Sequence, residues 1–185
     1  MSRVILSVRA APLIAAVLFF RRFSLVAFRV GDKVVYPHHG AAIIDRLEKK
    51  EMFGEKREYF VLELALENLT LRVPVDATDE VGLRVVTPAK EVPKVFKALG
   101  KIEPTANTTN WSRRFKQNQE KLRSGDIYQV AEVVRSLHQH DKEKGLAAGE
   151  KRMLTQSRQI LASELTFSKN CDRDAAEALL DEALA

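Results

Sequence analysis

The period of the apolar pattern changes once along this chain, at Thr87-Pro88, and that change limits the fold to two unlike parts in succession. Before it, short runs rich in β-branched and aromatic residues (33–36, 40–44, 59–64 and 69–73) are separated by turn formers: Pro37-His38-His39, Gly54 and Glu67-Asn68. Leu69, Leu71 and Val73 alternate with Thr70 and Arg72, which predicts a strand with the first three buried and Arg72 pointing outward. About five such strands in roughly 60 residues predict a small, strongly bent antiparallel sheet or barrel with its own modest core.

After the change the spacing is helical. Residues 91–99 predict a short helix, with Pro93 tolerated in its first turn and Gly100 as its stop. Residues 101–110 are polar, contain Pro104 and read as a connector. A helix is predicted over 111–123, then Ser124-Gly125, then a helix over about 126–140 in which Ile127, Val130, Val134 and Leu137 mark one apolar stripe and Gly145 is the terminator. A third long helix over 147–167 turns Met153, Leu154, Ile160, Leu161 and Leu165 inward, and the acidic stretch 172–184 reads as a short fourth helix or a frayed end. The fold class expected is α+β in two modules: an N-terminal small antiparallel β-sheet and a C-terminal all-α bundle.

Composition excludes collagen-like, low-complexity and wholly disordered chains: of 185 residues, 45% are hydrophobic and 30% charged. The single cysteine, Cys171, can form neither an intrachain disulfide nor a Cys-based zinc site, which points to a reducing compartment, the cytoplasm by default. The net charge of +5 is informative only once located. Residues 1–27 carry four arginines and no acid, residues 28–92 ten bases and twelve acids, residues 93–169 fifteen bases and eight acids, and residues 170–185 one base and five acids. A mildly acidic front, a basic middle and an acidic tail suggest modules with different partners. The apolar run at 10–20 is too short for a comfortable membrane span, Arg21-Arg22 follow it directly, and no A-x-A-like cleavage site appears. A basic start followed by an apolar stretch resembles a signal peptide or anchor, which stays the alternative; residues 1–27 read first as an upstream extension of the reading frame or a disordered leader, with synthesis starting near Val26.

No reactive constellation points to an enzyme. His38 and His39 are adjacent, a poor spacing for a shared metal, and read as structural or hydrogen-bonding groups. The run GLAAGEK at 145–151 fails the spacing of a phosphate loop and follows no strand, so helix capping explains its glycines better. Cys171 sits in the acidic tail, which disfavours its thiolate. Neither metal nor cofactor is expected.

The run Asn110-Trp111-Ser112-Arg113-Arg114-Phe115-Lys116 places the only tryptophan at a helix start among three cations. Two roles fit. Trp111 and Phe115, four apart, can pack together on a core; alternatively, the cations neutralise phosphates while the aromatic edge wedges a base step. Lys142, Lys144, Lys151 and Arg152 lie near the next helix junction and could extend the same electropositive surface.

The runs VGDKVVYPHHGAAII, GEKREYFVLEL, LTLRVPV, TNWSRRFKQNQEKLRSGD, VAEVVRSL and GLAAGEKRML closely resemble the CarD family of bacterial transcription regulators, in order, spacing and identity over about residues 28–167. The family begins essentially at the counterpart of Phe28, in keeping with the leader reading. The resemblance implies a Tudor-like (SH3-like) N-terminal domain, residues 28–88, that binds the RNA polymerase β subunit. It implies a helical domain, residues 89–169, that contacts promoter DNA at the upstream edge of the melted region, with 170–185 left as an acidic tail. Carried over by position, polymerase contacts would be Lys50, Met52 and Arg72. Lys50 stands where close relatives carry arginine, a change that keeps charge but loses the planar fork. In the DNA module the resemblance implies Trp111 as a minor-groove wedge, with Arg113, Arg114, Lys116 and Lys151 at the backbone. The expected protein is a monomeric, non-enzymatic regulator that stabilises the promoter open complex. A free-standing DNA-binding architectural protein or repressor is the alternative.

Overall fold

The structure, a computed structural model, describes residues 28–52, 55–101 and 111–185. The leader, the turn at Gly54 and most of the connector expected at 101–110 lie outside the described residues. Strands β1 (Lys33–Tyr36), β2 (Gly40–Met52), β3 (Glu55–Leu64), β4 (Thr70–Pro74) and β5 (Arg84–Val85) form one antiparallel sheet in the order β4-β3-β2-β1-β5. Helices α1 (Val92–Leu99), α2 (Trp111–Arg123), α3 (Ile127–Lys144), α4 (Ala148–Lys169) and α5 (Arg173–Leu184) follow. The front module is Tudor-like.

The β2–β3 hairpin runs well past its expected ends at Ile44 and Tyr59. The register shifts at a bulge between Ile44 and Arg46, and beyond it the strands continue as a largely charged ladder in which Lys49 meets Glu58 at 3.1 Å. An apolar criterion misses such a segment because its outer rows are exposed and mostly charged, carried by the backbone ladder and not by an alternating buried face. On β4, Val73 is buried and Leu71 half-buried, with Arg72 exposed on the opposite side, as alternation predicts. Leu69 departs from the expectation: it precedes the strand and is 41% exposed.

Two apolar cores result. Phe28, Val34, Ile44, Phe60, Leu62 and Val73 anchor the first, on one face of the sheet. In the second, Val95 and Leu99 of α1 meet Val133, Val134 and Leu137 of α3 and Leu161 and Leu165 of α4. The helix ends follow local chemistry. Asp126 caps α3 by accepting from the Tyr128 N–H at 3.0 Å, and Gly145 closes it at φ 77°, a conformation glycine adopts freely. The segment 172–184 resolves as helix: Asp172 accepts from the Ala175 N–H at 2.8 Å, and Ala176 and Leu180 are wholly buried in the second core. The acidic tail is thus the solvent side of a helix that completes the bundle.

The opposite face of the sheet rests on α4. The Ala41 N–H donates to Ser163 Oγ at 2.9 Å, and Lys33 Nζ stands 5.0 Å over the Phe167 ring. Gly40, at φ 90°, lies so close to α4 that a Cβ would run into Ser163 Oγ and stand 3.3 Å from Ile160 Cα.

Candidate partner and nucleic-acid interfaces

Strand β4 is a sheet edge, bonded to β3 alone, so its outer backbone groups are open to an added strand. Alternation along the ladder puts Arg46, Glu48 and Lys50 of β2 on the same side as Arg72. Arg72 Nε donates to Glu48 Oε2 at 3.0 Å, and this bond holds the Glu48 carboxyl below the usual carboxylate range. Both side chains remain partly exposed, so the pair orients Arg72 more than it stabilises the fold. Lys50 faces Arg57 across the hairpin, two ladder rows further out. Met52 ends β2 opposite Glu55, and its side chain lies outside the described residues. Two of the three residues expected at the polymerase contact therefore share one face.

The second site is built where α2 starts. Trp111 is 45% exposed and stacks on Phe115, with ring centroids 5.3 Å apart and planes 28° from parallel. Phe115 in turn packs on the second core. The i,i+4 pair expected from the spacing forms, and its outer ring remains open to solvent. Beneath it lies Gly149, where a Cβ would stand 3.4 Å from Phe115 Cε2 and 3.9 Å from Trp111 Cζ2. Capping therefore accounts for Gly145 but not for Gly149, which lets the aromatic pair sit against the first turn of α4.

Arg114 points inward. Its Nη2 donates to Glu150 Oε1 at 3.1 Å and lies 3.5 Å from His140 Nε2; the side chains of Arg114 and Glu150 are 25% and 3% exposed. The other Glu150 oxygen accepts from the Ala147 N–H at 3.3 Å, covering one of the open donors at the start of α4. Arg114, expected at DNA from the resemblance, is here a strut between α2 and α4. Arg113, Lys116 and Lys151 are exposed, as are Arg152, Lys142 and Lys144 around the α3–α4 junction. Lys116 is 79% exposed, with Glu120 at 4.0 Å. An exposed aromatic edge on a braced support, bordered by exposed cations, suits a surface carrying regularly spaced negative charge.

Nothing in the sequence pattern singled out Glu150 or Gly149. A glutamate three residues after a helix start is a weak capping signal, and its pairing with Arg114 depends on how α2 meets α4. Among the described residues, no three His, Cys, Asp or Glu side chains could together hold a metal ion, and no helix is long and apolar enough to cross a membrane. At the adjacent histidines, the His38 backbone carbonyl accepts from Gln156 Nε2 at 3.2 Å, and the His39 ring lies 5.4 Å from that of Tyr36.

Two family models match the chain in tandem: the CarD-like/TRCF RID domain over residues 28–87 and the CarD C-terminal domain over residues 94–181. The second match takes in α5, consistent with its place in the bundle. The chain is also 37% identical over 142 residues to the "Putative transcription factor YdeB" of Bacillus subtilis (strain 168), an alignment covering 77% of this chain and 92% of that protein. On these matches, and on the Tudor-like sheet joined to a helical bundle that they predict, the chain belongs to the CarD family.

Proposed function

We propose that the protein is a non-enzymatic transcription regulator that binds the RNA polymerase β subunit through the β4 edge and the Arg72 face, and stabilises the promoter open complex through Trp111. The observation that carries this reading is the half-exposed Trp111 held on Phe115 and Gly149 at the cationic end of the bundle. A buried tryptophan would be core. An exposed one, braced and bordered by cations, can enter a base step.

The energetics run through linkage. Unstacking a duplex step costs on the order of a few kcal/mol. Where melting has already opened the step, a wedge binds without that cost, so it favours the open form over the closed one and shifts the population accordingly. Lys116, Lys151 and Arg113 add salt-dependent phosphate contacts, while Arg114 acts through Glu150. Attachment to polymerase raises the local concentration of the helical module at the promoter, so weak binding to free DNA does not limit activity. A strand from the β subunit would add to β4, with Arg72 and Lys50 selecting an acidic surface.

Capture on immobilised polymerase, paired with promoter opening, tests the division of labour. Arg72→Glu is expected to lose capture, and Trp111→Ala to keep it while losing the effect on opening. Undiminished promoter activity in Arg72→Glu would overturn the tethering step and favour the free-standing DNA-binding alternative.

A further inference from the structure

The joint between sheet and bundle contains more directed chemistry than packing alone requires. Glu164, in the middle of α4, is 1% exposed, and Arg84 of β5 grips both of its oxygens: Nη1 to Oε1 at 2.7 Å and Nη2 to Oε2 at 2.8 Å. The Thr87 N–H donates to Oε1 at 2.9 Å, and Arg84 Nε donates to the Gly125 carbonyl at 2.6 Å. One guanidinium thus joins β5, the α2–α3 turn and α4. A planar fork meeting a carboxylate fixes orientation as well as distance. A buried ion pair is a poor source of net stability, since apolar side chains of similar volume commonly do as well.

The elements so joined lead from one proposed interface to the other. The sheet face that rests on α4 at the start of β2 is continuous, across the ladder, with the face carrying Arg72. Along α4 from Glu164 to Gly149 is fifteen residues of uninterrupted helix, about 22 Å, and Gly149 is the seat of the Trp111–Phe115 stack. Helix and sheet are stiff over such lengths, so the angle at the joint decides where Trp111 stands relative to bound polymerase.

We infer that Arg84 and Glu164 are positioning residues that hold Trp111 at one fixed place and angle relative to the polymerase-binding face. This rests on the function proposed above and deepens it. Two weak contacts reinforce each other only if both can engage at once, so a joint free to swing loses the benefit of tethering without loss of either contact.

The test uses the full chain carrying Arg84→Met and Glu164→Met together, an exchange that removes the fork without leaving a lone buried charge. Polymerase capture and melting temperature are expected to stay near wild type, while open-complex lifetime falls to that of Trp111→Ala. Glu164→Gln, read the same way, covers a double variant that fails to fold. In a Cys171→Ser background, Glu67→Cys with Gln159→Cys, at a second sheet–α4 contact, permits a short bismaleimide bridge. Bridging the double variant is expected to restore the lifetime. A wild-type lifetime in the unbridged double variant, with Trp111→Ala still defective, overturns the inference alone, as does a bridge that restores nothing. A wild-type lifetime in Trp111→Ala overturns the functional reading beneath it and this inference with it.

Discussion

Replacing Arg114 by alanine asks whether this cation serves the fold or the DNA. The change leaves the Glu150 carboxylate, 3% exposed, without its guanidinium partner. Stripping one partner from a buried pair costs about 3–5 kcal/mol, and the partial exposure of Arg114 places this case at the lower end, about 3 kcal/mol. For a chain of this size each kcal/mol moves the melting temperature by about 2–4 °C, so a loss of roughly 6–12 °C is expected. Glu150→Gln has a single carbonyl oxygen, so it keeps an acceptor for either the Ala147 N–H or Arg114 and turns its NH2 toward the other, and it loses the charge; it is expected to cost about 1–3 kcal/mol. The two residues touch, so their effects should not add; a double-mutant cycle by urea denaturation is expected to return a coupling of about 1–3 kcal/mol. The contrary result is equally specific. If Arg114→Ala melted within about 1 kcal/mol of wild type while the salt slope of DNA binding fell by about one, Arg114 would be a phosphate contact and the strut would be wrong.

Gly40→Ala forces a Cβ onto Ser163 at a backbone φ of 90°, and is expected to destabilise by roughly 2–4 kcal/mol in denaturant melts; a neutral result would mean that the sheet does not seat on α4 as described. Arg72→Glu sets a second acid beside Glu48, yet removes only an exposed pair. Its melting should stay within about 1 kcal/mol of wild type while polymerase capture is lost, a split that a folding defect would not produce. Burial, together with Arg123 and His39, holds the His38 imidazole below its ordinary value of 6.5, and burial, with Lys142 and Arg158 nearby, does the same to His138. The unfolded chain then takes up these protons first as pH falls, so stability is fully present above about pH 7 and declines below about 6.5. Melting temperatures across pH 5–8 check this, and the slope in that window should flatten in a His38→Gln, His138→Gln double variant.

The helices were legible because their signals are local. The bounds of α2, the cap at Asp126, the stop at Gly145 and the inward residues of α4 all follow from spacing of 3.6 and from capping chemistry. The outer β2–β3 hairpin was not legible, since a charged ladder carries no apolar period. The burial of α5 was equally hidden: Ala176 and Leu180 are two apolar residues among many in that segment, and only docking on α4 tells which are core. At the site, Trp111 and Phe115 could be read as a pair from their spacing. Gly149 beneath them, and Glu150 paired with Arg114, come from a helix some 35 residues on, as the 36-residue separation of that pair records. Arg84 and Glu164 are 80 residues apart, and each alone reads as an ordinary surface charge. Contacts of that range depend on the tertiary arrangement, to which a one-dimensional pattern is blind.

The claim that Trp111 acts on the opened promoter, and not merely on the fold, is tested most directly by open-complex lifetime at matched polymerase occupancy. Purified polymerase on a linear promoter is challenged with a competitor in the presence of wild-type protein or Trp111→Ala. Wild type is expected to lengthen the lifetime, and Trp111→Ala to leave it near the value for polymerase alone, although the variant is captured by polymerase as well as wild type. Equal lifetimes for the two proteins would contradict the account.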